Sequence, residues 1–124
     1  MNRGKTLVLD VKKNVLKEVQ MPEKLSDFYK LLDCDIIETF PADMYGLIIV
    51  CDEMGLFKAN QRVSAYDRQS GEPIMVGSIL FVRKDGDRWV GLTEEDMQEI
   101  RRKTVSCSYI FRDKPMNNLV YRMF

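Results

Sequence analysis

The chain has 124 residues, with 19 Lys plus Arg balanced by 19 Asp plus Glu, and it contains no histidine. Zero net charge with 31% charged residues describes an ordinary solvated surface, which excludes both a broad nucleic-acid footprint and an acidic DNA mimic. Without histidine there is no Ser-His-Asp or Cys-His nucleophile and no His-ligated zinc or haem. A near-neutral proton shuttle would need a strongly perturbed Glu, Lys or Cys.

The length fits one domain. Surface scaling gives roughly 7,000 Å² folded against about 21,000 Å² unfolded, enough burial for a core without staples. The cysteines, Cys34, Cys51 and Cys107, are odd in number and form no CxxC pair, so reduced thiols are expected rather than disulfides or a metal site. The first residues lack a run of signal-peptide length, and the longest apolar stretch, 74–82, is too short to span a bilayer. A cytoplasmic protein without cofactor and without membrane contact is expected.

In chain order, residues 6–11 and 15–19 read as a hairpin around the polar Lys12-Lys13-Asn14. Pro22 opens a helix with Leu25, Phe28, Leu31 and Leu32 on one face. Residues 36–40 form a strand stopped by Pro41. The unbroken apolar run 47–51 predicts a central strand covered on both faces. Asp52-Glu53-Met54-Gly55 is a turn, with Gly55 suited to positive φ. A polar excursion over 58–73 reads as the functional loop. Residues 74–83 form a second apolar strand, interrupted by Gly77-Ser78 as a bulge or a close backbone approach.

Asp85-Gly86 signals a hairpin that returns through 89–92. Thr93 caps a peripheral helix whose apolar stripe is Met97 and Ile100. Val105, Cys107, Tyr109 and Phe111 alternate as a strand, 115–118 turns, and 119–124 returns. The fold expected is α+β, a mostly antiparallel β-sheet with two helices and a C-terminal β-hairpin. Residues 1–104 make the domain, and 105–124 are an extension packed on it or on a partner.

No constellation supplies catalysis. Asp85 and Asp87 imitate a calcium loop, but Trp89 and Val90 stand where a ligand and the glycine belong. The glycines match no phosphate-binding fingerprint, and Lys12-Lys13, Arg83-Lys84 and 101–103 are short basic runs with acids nearby. Asn60, Arg62, Tyr66 and Arg68 are the candidate ligand-binding group, because Asn and Arg hold anions or amide edges and Tyr stacks a base. Local hydrogen bonding competes with that role, with Asn60 holding a turn and Arg62 pairing with Asp52 or Asp67. Tyr109, Phe111, Tyr121 and Phe124 are the candidate partner-binding aromatics of the C-terminal hairpin, against self-packing of the same residues.

Three segments in order carry a resemblance: Asp35-Ile36-Ile37-Glu38; Gly46 through Phe57 with Cys51-Asp52-Glu53-Met54-Gly55 and then Asn60-Gln61-Arg62; and Val76-Gly77-Ser78-Ile79-Leu80-Phe81 leading to Gly91-Leu92-Thr93-Glu94-Glu95. Over residues 5–102 the chain resembles the small family catalogued as domain of unknown function 3846. Its Asn-Arg pair usually follows prolines, where this chain has Lys58-Ala59 and an inserted Gln61, and residues 105–124 run past its usual end. The resemblance implies a phage, mobile-element or gut-bacterial setting, often beside antirestriction-type genes, and no activity.

A non-enzymatic accessory protein that works by binding is therefore expected. In one version the sheet edge or C-terminal hairpin holds a host or phage protein. In another, the loop encloses a small anionic or nucleotide ligand, with a second copy of the chain completing the enclosure as a homodimer. An enzyme using Asp or Glu with Arg62 is the third class.

Overall fold

The computed structural model describes residues 4–59 and 61–123. Among them the strands are β1 (Lys5–Asp10), β2 (Val15–Gln20), β3 (Ile37–Pro41), β4 (Leu47–Asp52), β5 (Val63–Asp67), β6 (Pro73–Val76), β7 (Ile79–Asp85), β8 (Arg88–Val90), β9 (Thr104–Phe111) and β10 (Lys114–Met123). The helices are α1 (Leu25–Leu32) and α2 (Glu94–Lys103), with a 3-10 turn at Gly55–Phe57.

Two sheets result. The first is antiparallel, in the order β2-β1-β7-β4-β3, with β8 paired to the far end of β7. The second runs β6-β5-β10-β9, and its β5 and β10 are parallel, with Tyr121 beside Ala65. The fold is α+β.

The apolar runs in β4 and β7 follow from burial on both faces of the first sheet. On one face Val8, Val50, Leu80 and Val82 pack against Phe28 and Leu32 of α1. On the other, Leu7, Leu9, Ile49 and Phe81 meet Ala65, Met75, Tyr121 and Met123 of the second sheet together with Met97 and Ile100 of α2. Tyr121 stands edge-on to Phe81 with ring centroids 4.9 Å apart. The layers are thus helix, sheet and sheet.

Several local expectations need correction. The first helix begins at Leu25 instead of Pro22, because Lys24 is extended and its N–H donates to the Asp27 carboxylate at 3.4 Å. Gly55 has no positive φ; a Cβ there would lie 2.3 Å from the Val76 carbonyl oxygen, so close backbone approach demands the glycine. The run 74–83 is two strands in two sheets, since Gly77, at φ 93°, turns the chain from β6 into β7. Residues 58–73 are not one loop, because β5 lies within them.

Pro41 belongs to β3, an edge strand where its missing N–H is harmless. The C-terminal turn sits at Arg112-Asp113, with φ values of 53° and 64°, and 115–118 are strand. Pro115 is tolerated because β10 pairs there with β9 alone, and β5 joins only from Tyr121 onward. The hairpin packs on the chain's own sheet. The Thr93 cap stands as expected, its Oγ accepting the Asp96 N–H at 3.1 Å.

Candidate functional site

The alternation in β9 places Val105, Cys107, Tyr109 and Phe111 on one face of the second sheet, and the cross-strand register sets Val120, Asn118, Met116 and Lys114 beside them. Val63 and Val76 continue that face across β5 and β6, and Tyr66 lies next to Arg122. This is the outer face, opposite the one that carries Tyr121 and Met123 into the core. Val63, Val76 and Val120 are buried within it, whereas Tyr66, Val105, Cys107, Tyr109 and Phe111 are half-buried. A groove of about 290 Å³ runs along it between Tyr66, Pro73, Cys107 and Tyr109.

Polar groups hold the face in shape. The Tyr109 hydroxyl accepts the Val63 N–H at 2.9 Å and donates to Asn118 Oδ1 at 2.6 Å, while Asn118 Nδ2 donates to the Val63 carbonyl at 3.0 Å. Burial raises the Tyr109 phenol pKa against the pull of the Val63 N–H and the Arg62 charge, so it stays a neutral donor. Arg62 Nη1 approaches Met116 Sδ at 3.5 Å. Arg122 Nε is buried without a hydrogen-bond partner. Arg112 lies over the Phe111 ring at 4.8 Å and donates to the Lys58 carbonyl at 2.7 Å and to the Leu56 carbonyl, pinning the hairpin tip to the 3-10 turn.

The candidate ligand-binding residues do not converge. Tyr66 lines the groove, Arg62 turns to Met116, and Arg68 is exposed beyond the end of β5. Asn60 lies outside the described residues. Arg62 pairs with neither Asp52 nor Asp67: Asp52 holds Lys58 at 2.5 Å, and Asp67 accepts from the Gln69 N–H and the Ser70 hydroxyl. Of the hairpin aromatics, Tyr109 and Phe111 stand on the outer face. Tyr121 is 1% exposed in the core, and Phe124 lies outside the described residues.

Sequence reasoning passed over Val105, Cys107 and Arg122 as surface candidates. The period-two pattern of β9 carries the signal for the first two, but which face is covered depends on how the sheets stack.

The remaining chemistry is quiet. Burial pushes the Cys51 thiol up to about 12 and raises Cys34 as well, leaving neither as a thiolate nucleophile. Among the described residues no group of three or more Cys, Asp or Glu side chains is gathered to hold a metal ion. No described helix is long and apolar enough to cross a membrane.

A family model described as Domain of unknown function (DUF3846) matches residues 4–104, ending at the first residue of β9. No curated protein and no solved structure matches the chain.

Proposed function

The chain belongs to the DUF3846 family, and from that premise we propose that it is a non-enzymatic accessory protein of a phage or mobile element. It acts by holding a protein partner on the outer face of the second sheet. One observation carries this reading: the helix-sheet-sheet stack covers both faces of the first sheet but only one of the second, leaving an apolar strip around Tyr109 uncovered. Contiguous apolar surface of this kind favours association. The strip's charged groups are the Arg62, Arg112 and Arg122 guanidiniums and Lys114, with no carboxylate among its outward strand positions. The partner that fits presents an apolar segment flanked by Asp or Glu. A second copy would add like charge to like.

The test places a photo-crosslinking benzoylphenylalanine at position 111 in producing cells. A discrete adduct with another protein is expected, falling about tenfold in yield with Arg122→Glu, as for loss of a central interface arginine. The variant's melting temperature controls for folding. A self-adduct alone, or a yield indifferent to Arg122→Glu, would sink the proposal.

A further inference from the structure

A second site lies away from that face. A cleft of about 260 Å³ opens between the β1–β2 turn, the carbonyl end of α1 and the corner at Ser78. Four lysines, Lys12, Lys13, Lys17 and Lys30, contribute to its walls together with Asp10 and Asp33. Lys12 reaches Asp33 at 3.2 Å and Lys17 reaches Asp10 at 3.8 Å, so each acid is already engaged. Lys13 and Lys30 have no carboxylate within ion-pair distance among the described residues.

The negative end of α1 is also covered. The N–H groups of Asp33 and Cys34 donate to the carbonyls of Lys30 and Tyr29, and Lys58 Nζ donates to the Asp33 carbonyl at 3.1 Å.

An independent observation comes from Gln61. It lines the same cleft, is only 9% exposed, and its side chain makes no hydrogen bond to another described residue. Its amide lies 3.6–3.7 Å from where a Cβ on Gly77 would stand, in space that the glycine leaves open. An amide held at the cleft wall with no partner among the described residues has both its donor and its acceptor open to the cleft, where a ligand edge can pair with them. Ser78 Oγ accepts the Val11 N–H at 3.3 Å and keeps its own proton to donate.

We infer that this cleft binds a nucleotide, its phosphates on Lys13 and Lys30 and an amide-like base edge on Gln61 and Ser78. The volume suits one nucleoside rather than a dinucleotide. Phosphate supplies the attraction and Gln61 the selectivity, since an amide both donates and accepts.

Calorimetric titration of the whole chain at low salt, with inorganic pyrophosphate, ADP and GDP as probes, tests this. One nucleoside diphosphate should bind in a 1:1 ratio about tenfold tighter than pyrophosphate, and the double variant Lys13→Glu, Lys30→Glu should weaken both by about tenfold or more. Gln61→Leu should bring the nucleoside diphosphate down to the pyrophosphate affinity while leaving pyrophosphate unchanged. Should Gln61→Leu fail to fold, Ser78→Ala reads the same edge. Absence of saturable binding, or binding indifferent to the two lysines, overturns the site. Equal affinity for all three probes overturns the nucleotide.

Discussion

At Asp96, one carboxylate accepts from two partners. It takes Arg83 Nε at 2.8 Å and Nη2 at 2.5 Å from β7, and the Thr93 N–H at 3.0 Å at the start of α2. Burial alone would raise its pKa, but the Arg83 and Thr93 hydrogen bonds outweigh burial and hold it below the ordinary 3.8. A depressed carboxylate stabilises the fold fully above its unfolded value and loses that contribution as pH falls through the folded value. The melting temperature should therefore drop on acidification below 3.8, and Asp96→Asn should flatten that limb. At neutral pH the variant should lose about 2–3 kcal/mol in urea unfolding, less than a fully buried pair because Arg83 is partly solvated. An unchanged acid limb would remove Asp96 from the account. Gly55 makes a separate case: Gly55→Ala should cost about 1–3 kcal/mol, since the new methyl meets the Val76 carbonyl and not a flexible side chain. The need for glycine was legible there and its reason was not, because a close approach from Val76, far along the chain in β6, leaves no local pattern.

The C-terminal hairpin is the element whose role changed most. Its alternation over 105–111 marks a strand, but the turn at Arg112-Asp113 has no glycine or asparagine to announce it, although both residues adopt positive φ. The Pro115-Met116-Asn117-Asn118 run looked like the turn and is strand. Although the family match ends at 104, β10 sits between β5 and β9 and brings Tyr121 and Met123 into the core. A chain cut after residue 104 should therefore fail to give a dispersed amide NMR spectrum. A spectrum as dispersed as that of the intact chain would show that the hairpin is dispensable. Tyr121→Ala in the full chain should cost about 3–5 kcal/mol, the penalty of emptying a large buried aromatic site, measured by urea unfolding. The Asn14 side chain adds a tie between elements far apart in sequence, accepting the Leu119 N–H at 2.7 Å.

For the whole molecule, the first sheet is the shared layer: α1 packs on one face, and the second sheet with α2 packs on the other. The two large clusters both pack on that sheet, and the second sheet adds only the small outer cluster of Val63, Val76 and Val120, so unfolding should be a single cooperative transition. Trp89, stacked edge-on against Phe28 on the α1 side, reports one layer by fluorescence, and far-UV circular dichroism reports all strands. Their urea midpoints should coincide, and separate midpoints would mean that the layers fold independently.

By itself the sequence determined the class of the fold, the central place of residues 47–51, the helix cap at Thr93 and the lack of a histidine-based site. These rest on composition and on contacts within a few residues, where hydrophobic period and capping chemistry act. Tertiary structure alone decided that the run 74–83 divides between two sheets and that Tyr121 faces inward while Tyr109 faces outward. It also decided that Gln61 joins lysines from residues 12 to 30 around one cleft. Those outcomes depend on which sheet face another layer covers, and a period-two pattern carries the alternation of sides without saying which side is packed.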